Sequence, residues 1–161
     1  MIAIFFSRIR RNFFKKELIL FADLITLLHK FFMKIFNITF IIIFIIFAAL
    51  QYNDPDPYVW MPIYLYAAFL CFRAIQHKYN KTLYLIGLIA YISYGAWLFF
   101  DKSGVLNWAE EHHSESIVET MKATKPWIEE TREFFGLIIV ITVLLINMFW
   151  LGRKNKPFTQ N

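Results

Sequence analysis

A turn rich in acidic residues and prolines contains the residues best placed to do chemistry. It reads Asn53, Asp54, Pro55, Asp56 and Pro57. Two carboxylates held between rigid prolines can bind a cation or position a proton carrier, because hard cations prefer carboxylate oxygens. The alternative is that these residues only stabilise the local backbone. Asx side chains bond to their own backbone in turns, and Asp56 before Pro57 can cap a helix, as Asp54 before Pro55 can one step earlier.

More polarity surrounds this turn than a helix cap needs, with Gln51 before it and Trp60 one helical turn after it. Far downstream, Glu133 lies four residues after Glu129 on one helical face, and Arg132 can pair with Glu129. These residues either form weak ion pairs on a solvated helix or meet the turn to build one polar site. We predict a cluster of Gln51, Asn53, Asp54, Asp56, Trp60, Arg132 and Glu133.

A histidine pair in the same downstream connection is a weaker candidate for chemistry. Glu110 and His113, and likewise His112 and Glu115, have a spacing that a helix makes compatible with metal binding. Adjacent histidines point about 100° apart on a helix, so they do not easily share one tetrahedral site. We therefore predict no metal site and no cofactor, and we find no phosphate loop or nucleophile motif.

Four apolar segments must position these residues. Each is long enough, or nearly so, to cross a hydrocarbon layer of about 30 Å as a helix, since lipid leaves no partner for unpaired backbone groups. The segments are 35–51, 58–76, 82–100 and 135–151. We predict an all-α integral membrane four-helix bundle in residues 34–152, followed by a basic tail at 153–161.

The charges alternate in sign between successive connections, which predicts the orientation. Twelve of the 17 Lys and Arg residues lie before the first segment, between the second and third, or after the fourth, and Arg73 lies in the last turn of the second segment on the same side. Ten of the 12 acidic residues lie in the other two connections. Because basic connections stay in the cytoplasm, both termini are predicted to be cytoplasmic, and loops 51–57 and 101–134 exoplasmic, the longer one partly helical. This distribution explains the net charge of +5 without nucleic acid.

The first 33 residues mix basic and apolar side chains. From Lys16 onward they have a helical period and predict an amphipathic helix on the cytoplasmic interface. The alternative is that residues 1–32 come from an upstream start codon, because Met33 and Lys34 directly precede the first apolar segment. The abundance of Phe, Ile and Asn favours a bacterial source and thus the bacterial inner membrane.

The run at 51–57 with Trp60, followed by Glu130 to Leu137, resembles the transmembrane-220 family of small four-helix membrane proteins. The resemblance covers about residues 34–151. It implies a fold and a membrane location but no activity. The first 32 residues fall outside it, and the histidine-rich part of the long loop has no match in the family pattern.

Three functions remain open. The first is a structural or partner-binding membrane protein with a polar exoplasmic cluster. It would act in a homo-oligomer or larger complex, because four short helices make few buried contacts with one another. The second is a transporter or channel subunit, although the four segments contain no acidic residue of the kind that ion-coupled carriers use. The third is a membrane enzyme with the outer carboxylates as acid and base, for which carboxylates alone are weak support.

Overall fold

The computed structural model describes the backbone of residues 2–54, 56–114, 116–117 and 125–154, and the side chains of residues 14–52, 54, 56–114, 116–117 and 125–152. A 3-10 turn, Gln51–Asn53, follows the first helix. The α-helices are α1 Ile2–Leu50, α2 Pro57–Ile75, α3 Lys81–Phe100, α4 Val105–Glu110 and α5 Pro126–Lys154. The described residues contain no strand.

Helices α1, α2, α3 and α5 are each long and apolar enough to cross a membrane, which confirms the predicted all-α membrane fold. Large side chains fill the centre of the bundle, among them the fully buried Phe44, Trp60, Leu98 and Leu144. At most 39% of the most apolar stretch of any of these helices is buried inside the protein. Lipid must therefore cover the remaining apolar surface, since water would leave it unburied.

The first helix is longer than a membrane crossing needs. At 1.5 Å per residue, the 49 residues of α1 span about 74 Å, more than twice the thickness of a hydrocarbon core. The predicted N-terminal helix is present, but it continues into the first apolar segment without interruption at Met33 or Lys34. The helix continues because a segment without proline or glycine has no local cause to break there, and the interfacial position of its first 33 residues stays a prediction.

Tyrosine hydroxyls join α2 to α3. Tyr84 donates to the carbonyl of Leu70 (2.9 Å), and Tyr91 donates to the carbonyl of Ile63 (2.9 Å). Tyr66 donates in the other direction, to the carbonyl of Leu83 (3.0 Å). These bonds satisfy hydroxyls that would otherwise be buried without a partner in lipid or protein.

A reciprocal amide pair joins α1 to α5. Asn37 Nδ2 donates to Asn147 Oδ1 (2.9 Å), and Asn147 Nδ2 donates back to Asn37 Oδ1 (2.8 Å), with both side chains buried. The Thr142 hydroxyl, by contrast, donates to Ile138 O on its own helix (2.7 Å).

Replacing Asn147 with leucine is expected to destabilise the bundle by about 1–3 kcal/mol, because the Asn37 amide then stays buried without its partner. The Asn37→Leu, Asn147→Leu double variant removes both polar groups and should recover most of that loss. Thermal unfolding in detergent measures both, with Thr142→Val as the control for a polar group that makes no interhelical bond. A double variant as unstable as the sum of the two single variants would contradict the pairing.

Candidate functional site

The acidic turn and the start of α5 meet at one end of the bundle. Pro57 occupies the first turn of α2, where its missing N–H costs nothing, so Asp56 lies directly before the helix. Pro126 begins α5 in the same way, and the charged residues 129–133 therefore precede the apolar run 135–151 on a continuous helix. Both elements thus present polar side chains outside the apolar layer.

Three carboxylates from these two elements converge. Ligand oxygens of Asp56, Glu129 and Glu133 all lie within 4.8 Å of one another, and each side chain is half-buried. Glu129 and Glu133 lie on one face of α5 because they are four residues apart. Since like charges this close repel strongly where water is partly excluded, the group is unstable with all three ionised and nothing between them.

Arg132 and Asp54 complete what we call the acidic cluster: Asp54, Asp56, Glu129, Arg132 and Glu133. The Arg132 guanidinium lies near enough to lower the pKa of both Asp54 and Glu129, but burial outweighs it and the pKa of each carboxyl is raised. With every group ionised, one positive charge faces four negative ones. The cluster therefore has more carboxylates than its own cation can neutralise.

Glu133 is the most strongly perturbed member. Burial raises its pKa from 4.5 to about 8, and the negative charges of Asp56 and Glu129 add to the shift. The indole N–H of Trp60 lies beside the carboxylate and opposes the shift, but it does not reach hydrogen-bonding geometry. Glu133 therefore holds a proton at neutral pH unless a cation replaces it.

Aromatic side chains form the floor under these carboxylates. Trp60 is fully buried, with its ring centroid 6.0 Å from that of Tyr64 and 5.6 Å from that of Tyr94. Gly136 allows Tyr64 to lie there, because a Cβ at this position would lie 2.6 Å from the tyrosine hydroxyl. This floor excludes water from below, which raises the cost of unpaired charge in the cluster.

Further polar atoms near the start of α5 are buried without a partner. Trp60 Nε1, Thr131 Oγ1 and Glu130 Oε2 make no hydrogen bond with the described residues. The other oxygen of Glu130 accepts a bond from Ser103 Oγ (2.5 Å), which joins α5 to the turn after α3. A buried N–H with no acceptor, next to a carboxylate cluster, is costly unless something else binds there.

The structure brings together five of the seven predicted residues: Asp54, Asp56, Trp60, Arg132 and Glu133. Gln51 takes part through its backbone, since its carbonyl accepts the Asp54 N–H (3.1 Å). The side chain of Asn53 lies outside the described residues. The capping interpretation was wrong for Asp56, which occupies the N-cap position of α2 but makes no capping bond with its side chain. It was also wrong for Asp54, because α2 begins only at Pro57.

The histidine pair is not on a helix, so the metal-compatible spacing does not apply. Helix α4 ends at Glu110, and His113 and Ser114 both have positive φ angles (49° and 53°), which no α-helix contains. The His112 ring instead stacks on Trp127, with centroids 3.6 Å apart. Glu115 lies outside the described residues.

Sequence reasoning left Glu129, Tyr64 and Tyr94 out of the predicted cluster. The four-residue spacing from Glu129 to Glu133 was a usable signal, because it places both carboxylates on one helix face. No local signal marks the tyrosines. They reach the cluster only because α2 and α3 pack against the start of α5.

The arrangement can hold one cationic group, since three carboxylate oxygens are close enough to contact the same ion or ammonium. Burial and the neighbouring carboxylates raise the pKa of Glu133 and so favour its protonated form when no cation is bound.

Comparison with known proteins agrees with this fold. A family model described as "Transmembrane family 220, helix" matches residues 43–149, which include the acidic turn and the start of α5. The resemblance noted in the sequence is thereby confirmed. No curated protein and no solved structure matches the chain.

Proposed function

We propose that this chain, which belongs to transmembrane family 220, is a partner-binding membrane protein. Its acidic cluster accepts a cationic group, such as a lysine or arginine side chain of another membrane protein. The observation that carries this proposal is the convergence of Asp56, Glu129 and Glu133 within 4.8 Å above the fully buried Trp60.

Charge balance supports binding at this cluster. Among the described residues, Arg132 is the one cation that stabilises ionised Asp54 and Glu129, and burial still raises the pKa of both. A second cation would favour the ionised form of Glu133, whose carboxylate could then accept the Trp60 N–H. Transport is less well supported, because the runs 35–50, 58–76, 82–100 and 135–151 contain no carboxylate.

The proposed setting is the bacterial inner membrane, with both termini in the cytoplasm and the acidic cluster on the exoplasmic side. The charge distribution supports this orientation, since the acidic and basic connections lie at opposite ends of the helices. The partner is a second copy of the chain or another subunit of a membrane complex. The largely exposed apolar faces of α1 to α3 leave room for either.

The proposal is tested with the Glu129→Gln, Glu133→Gln double variant. In native membranes, wild-type protein should migrate as a complex on blue-native gels, and the double variant should migrate as the isolated chain. The purified double variant should be at least as stable as wild type, since the amides remove the mutual repulsion. Loss of the complex without loss of stability separates binding from a structural role.

The matched control is Glu110→Gln, Glu111→Gln, which removes the same charge from exposed positions in the same connection. It should leave the complex intact. Equal migration of wild type and the Glu129, Glu133 variant would overturn the proposal. Ca²⁺ is the other outcome to measure: if it raises the Tm of purified wild type and not of the double variant, the cluster binds a metal ion rather than a partner.

A further inference from the structure

A small cavity with basic side chains at its wall lies at the opposite end of the bundle from the acidic cluster. Its volume is about 170 Å³, and it opens between α1, the last turn of α2 and the last turns of α5. Its lining includes Lys30 and Lys34 from α1 and His77 from the turn after α2. Asn37, Phe31 and Trp150 supply other parts of the wall.

We propose that this basic groove, formed by Lys30, Lys34, His77, Phe31, Asn37 and Trp150, binds the headgroup phosphate of an anionic phospholipid. Charge complementarity is the first argument. Two lysines and a histidine line the groove, and no acidic residue is among its described lining residues. The nearest acidic residue along α1, Asp23, is seven residues from Lys30, which is roughly 10 Å along the helix axis.

The size of the groove fits a phosphate better than a larger ligand. Pockets for drug-sized molecules enclose roughly 300–1,000 Å³, about two to six times this volume. A phosphate with its ester oxygens needs a small cavity and several N–H donors, and the lysines and the histidine supply them.

The position of the groove identifies a lipid as the source of that phosphate. Lys34 directly precedes the first apolar run and Trp150 stands at the end of the fourth, so both lie at the depth of the lipid headgroups. Below this level α1 exposes apolar side chains, with Ile35 45% and Ile38 41% exposed. A lipid whose phosphate occupies the groove can therefore lay its acyl chains along α1.

The turn after α2 is fixed in a way that presents His77 to the groove. Its φ angle is 57°, in the left-handed region, and its N–H donates to the carbonyl of Ala74 (3.1 Å). Arg73 Nε donates to the carbonyl of Lys78 (3.1 Å), which closes the turn from the other side. On the facing wall, His29 lies against the Trp150 ring with centroids 5.6 Å apart.

The test measures lipid binding to the full chain in two kinds of nanodisc. One series contains phosphatidylcholine with an increasing fraction of phosphatidylglycerol, and the reference contains phosphatidylcholine alone. Native mass spectrometry of the released protein counts the lipids retained. Wild type should retain phosphatidylglycerol over phosphatidylcholine. The Lys30→Gln, Lys34→Gln variant should bind it about thirty-fold more weakly, since each lysine near anionic lipid contributes roughly a factor of five.

The matched control is Lys15→Gln, Lys16→Gln, which removes the same charge from exposed positions of the same helix outside the groove. It should bind like wild type. His77→Asn should weaken retention while keeping the left-handed turn, which asparagine tolerates. Equal losses of phosphatidylglycerol binding in the two lysine variants, or no loss in either, would overturn the proposal that this groove binds the lipid. Displacement of the lipid by excess inorganic phosphate would show that free phosphate is the ligand and overturn the lipid assignment.

Discussion

Replacing Trp60 with alanine is expected to destabilise the bundle by about 3–5 kcal/mol. The side chain is fully buried between Tyr64 and Tyr94, so its removal leaves a cavity that a packed helix bundle can close only in part. Thermal unfolding in detergent measures the loss. Because Trp60 also forms the floor of the acidic cluster, the same change should admit water under Glu133 and weaken the pH dependence described below.

The Trp60→Phe variant is the control that separates packing from the N–H group. It keeps most of the ring and removes a donor that has no hydrogen-bond partner among the described residues, so it should cost much less than the alanine variant. If the phenylalanine variant is as unstable as the alanine variant, the N–H must be bonded in the folded protein. The interpretation that the Trp60 N–H has no partner until a ligand binds would then be wrong.

The stability of the purified protein is expected to fall as the pH rises toward about 8, chiefly because of Glu133. Its pKa is about 8 in the folded chain against 4.5 for an ordinary glutamate, so between these values the folded state holds one proton more than the unfolded state. The contribution of Glu133 to the free energy of unfolding is fully present below pH 4.5 and is lost as the pH rises through about 8. The raised pKa values of Asp54 and Glu129 act in the same direction.

Melting curves recorded across this pH range measure the effect. Wild type should lose several degrees, since about 1 kcal/mol corresponds to roughly 2–4 °C in a chain of this size. Glu133→Gln keeps a neutral side chain and should flatten the profile, whereas the exposed Glu110→Gln should follow wild type. A Glu133→Gln profile that matches wild type would show that the carboxyl titrates normally and is open to water.

The four apolar runs and the alternating charge of their connections were sufficient to predict the number of membrane helices and the polar character of each end. This succeeds because lipid selects the helix for any long apolar segment, whatever surrounds it. The helix starts at Pro57 and Pro126 also follow from local chemistry, since proline fixes the backbone angle of a first turn by itself.

Some features depend on groups far apart in the chain. Asp56 has the sequence of a helix cap, yet its carboxylate lies with Glu129 and Glu133, because α5 packs against α2 and brings them within 4.8 Å. Asn37 and Asn147 are 110 residues apart and pair only through the packing of α1 on α5. Neither arrangement has a local signature.

The amino-acid sequence by itself determined the all-α membrane fold and the separation of acidic and basic residues between its two ends, since both follow from hydrophobicity and charge along a single chain. Only the tertiary structure decided that the carboxylates converge above Trp60 and that Lys30, Lys34 and His77 share one groove. The physical reason is that burial and the field of neighbouring charges act through space, between helices whose contacts no local pattern specifies.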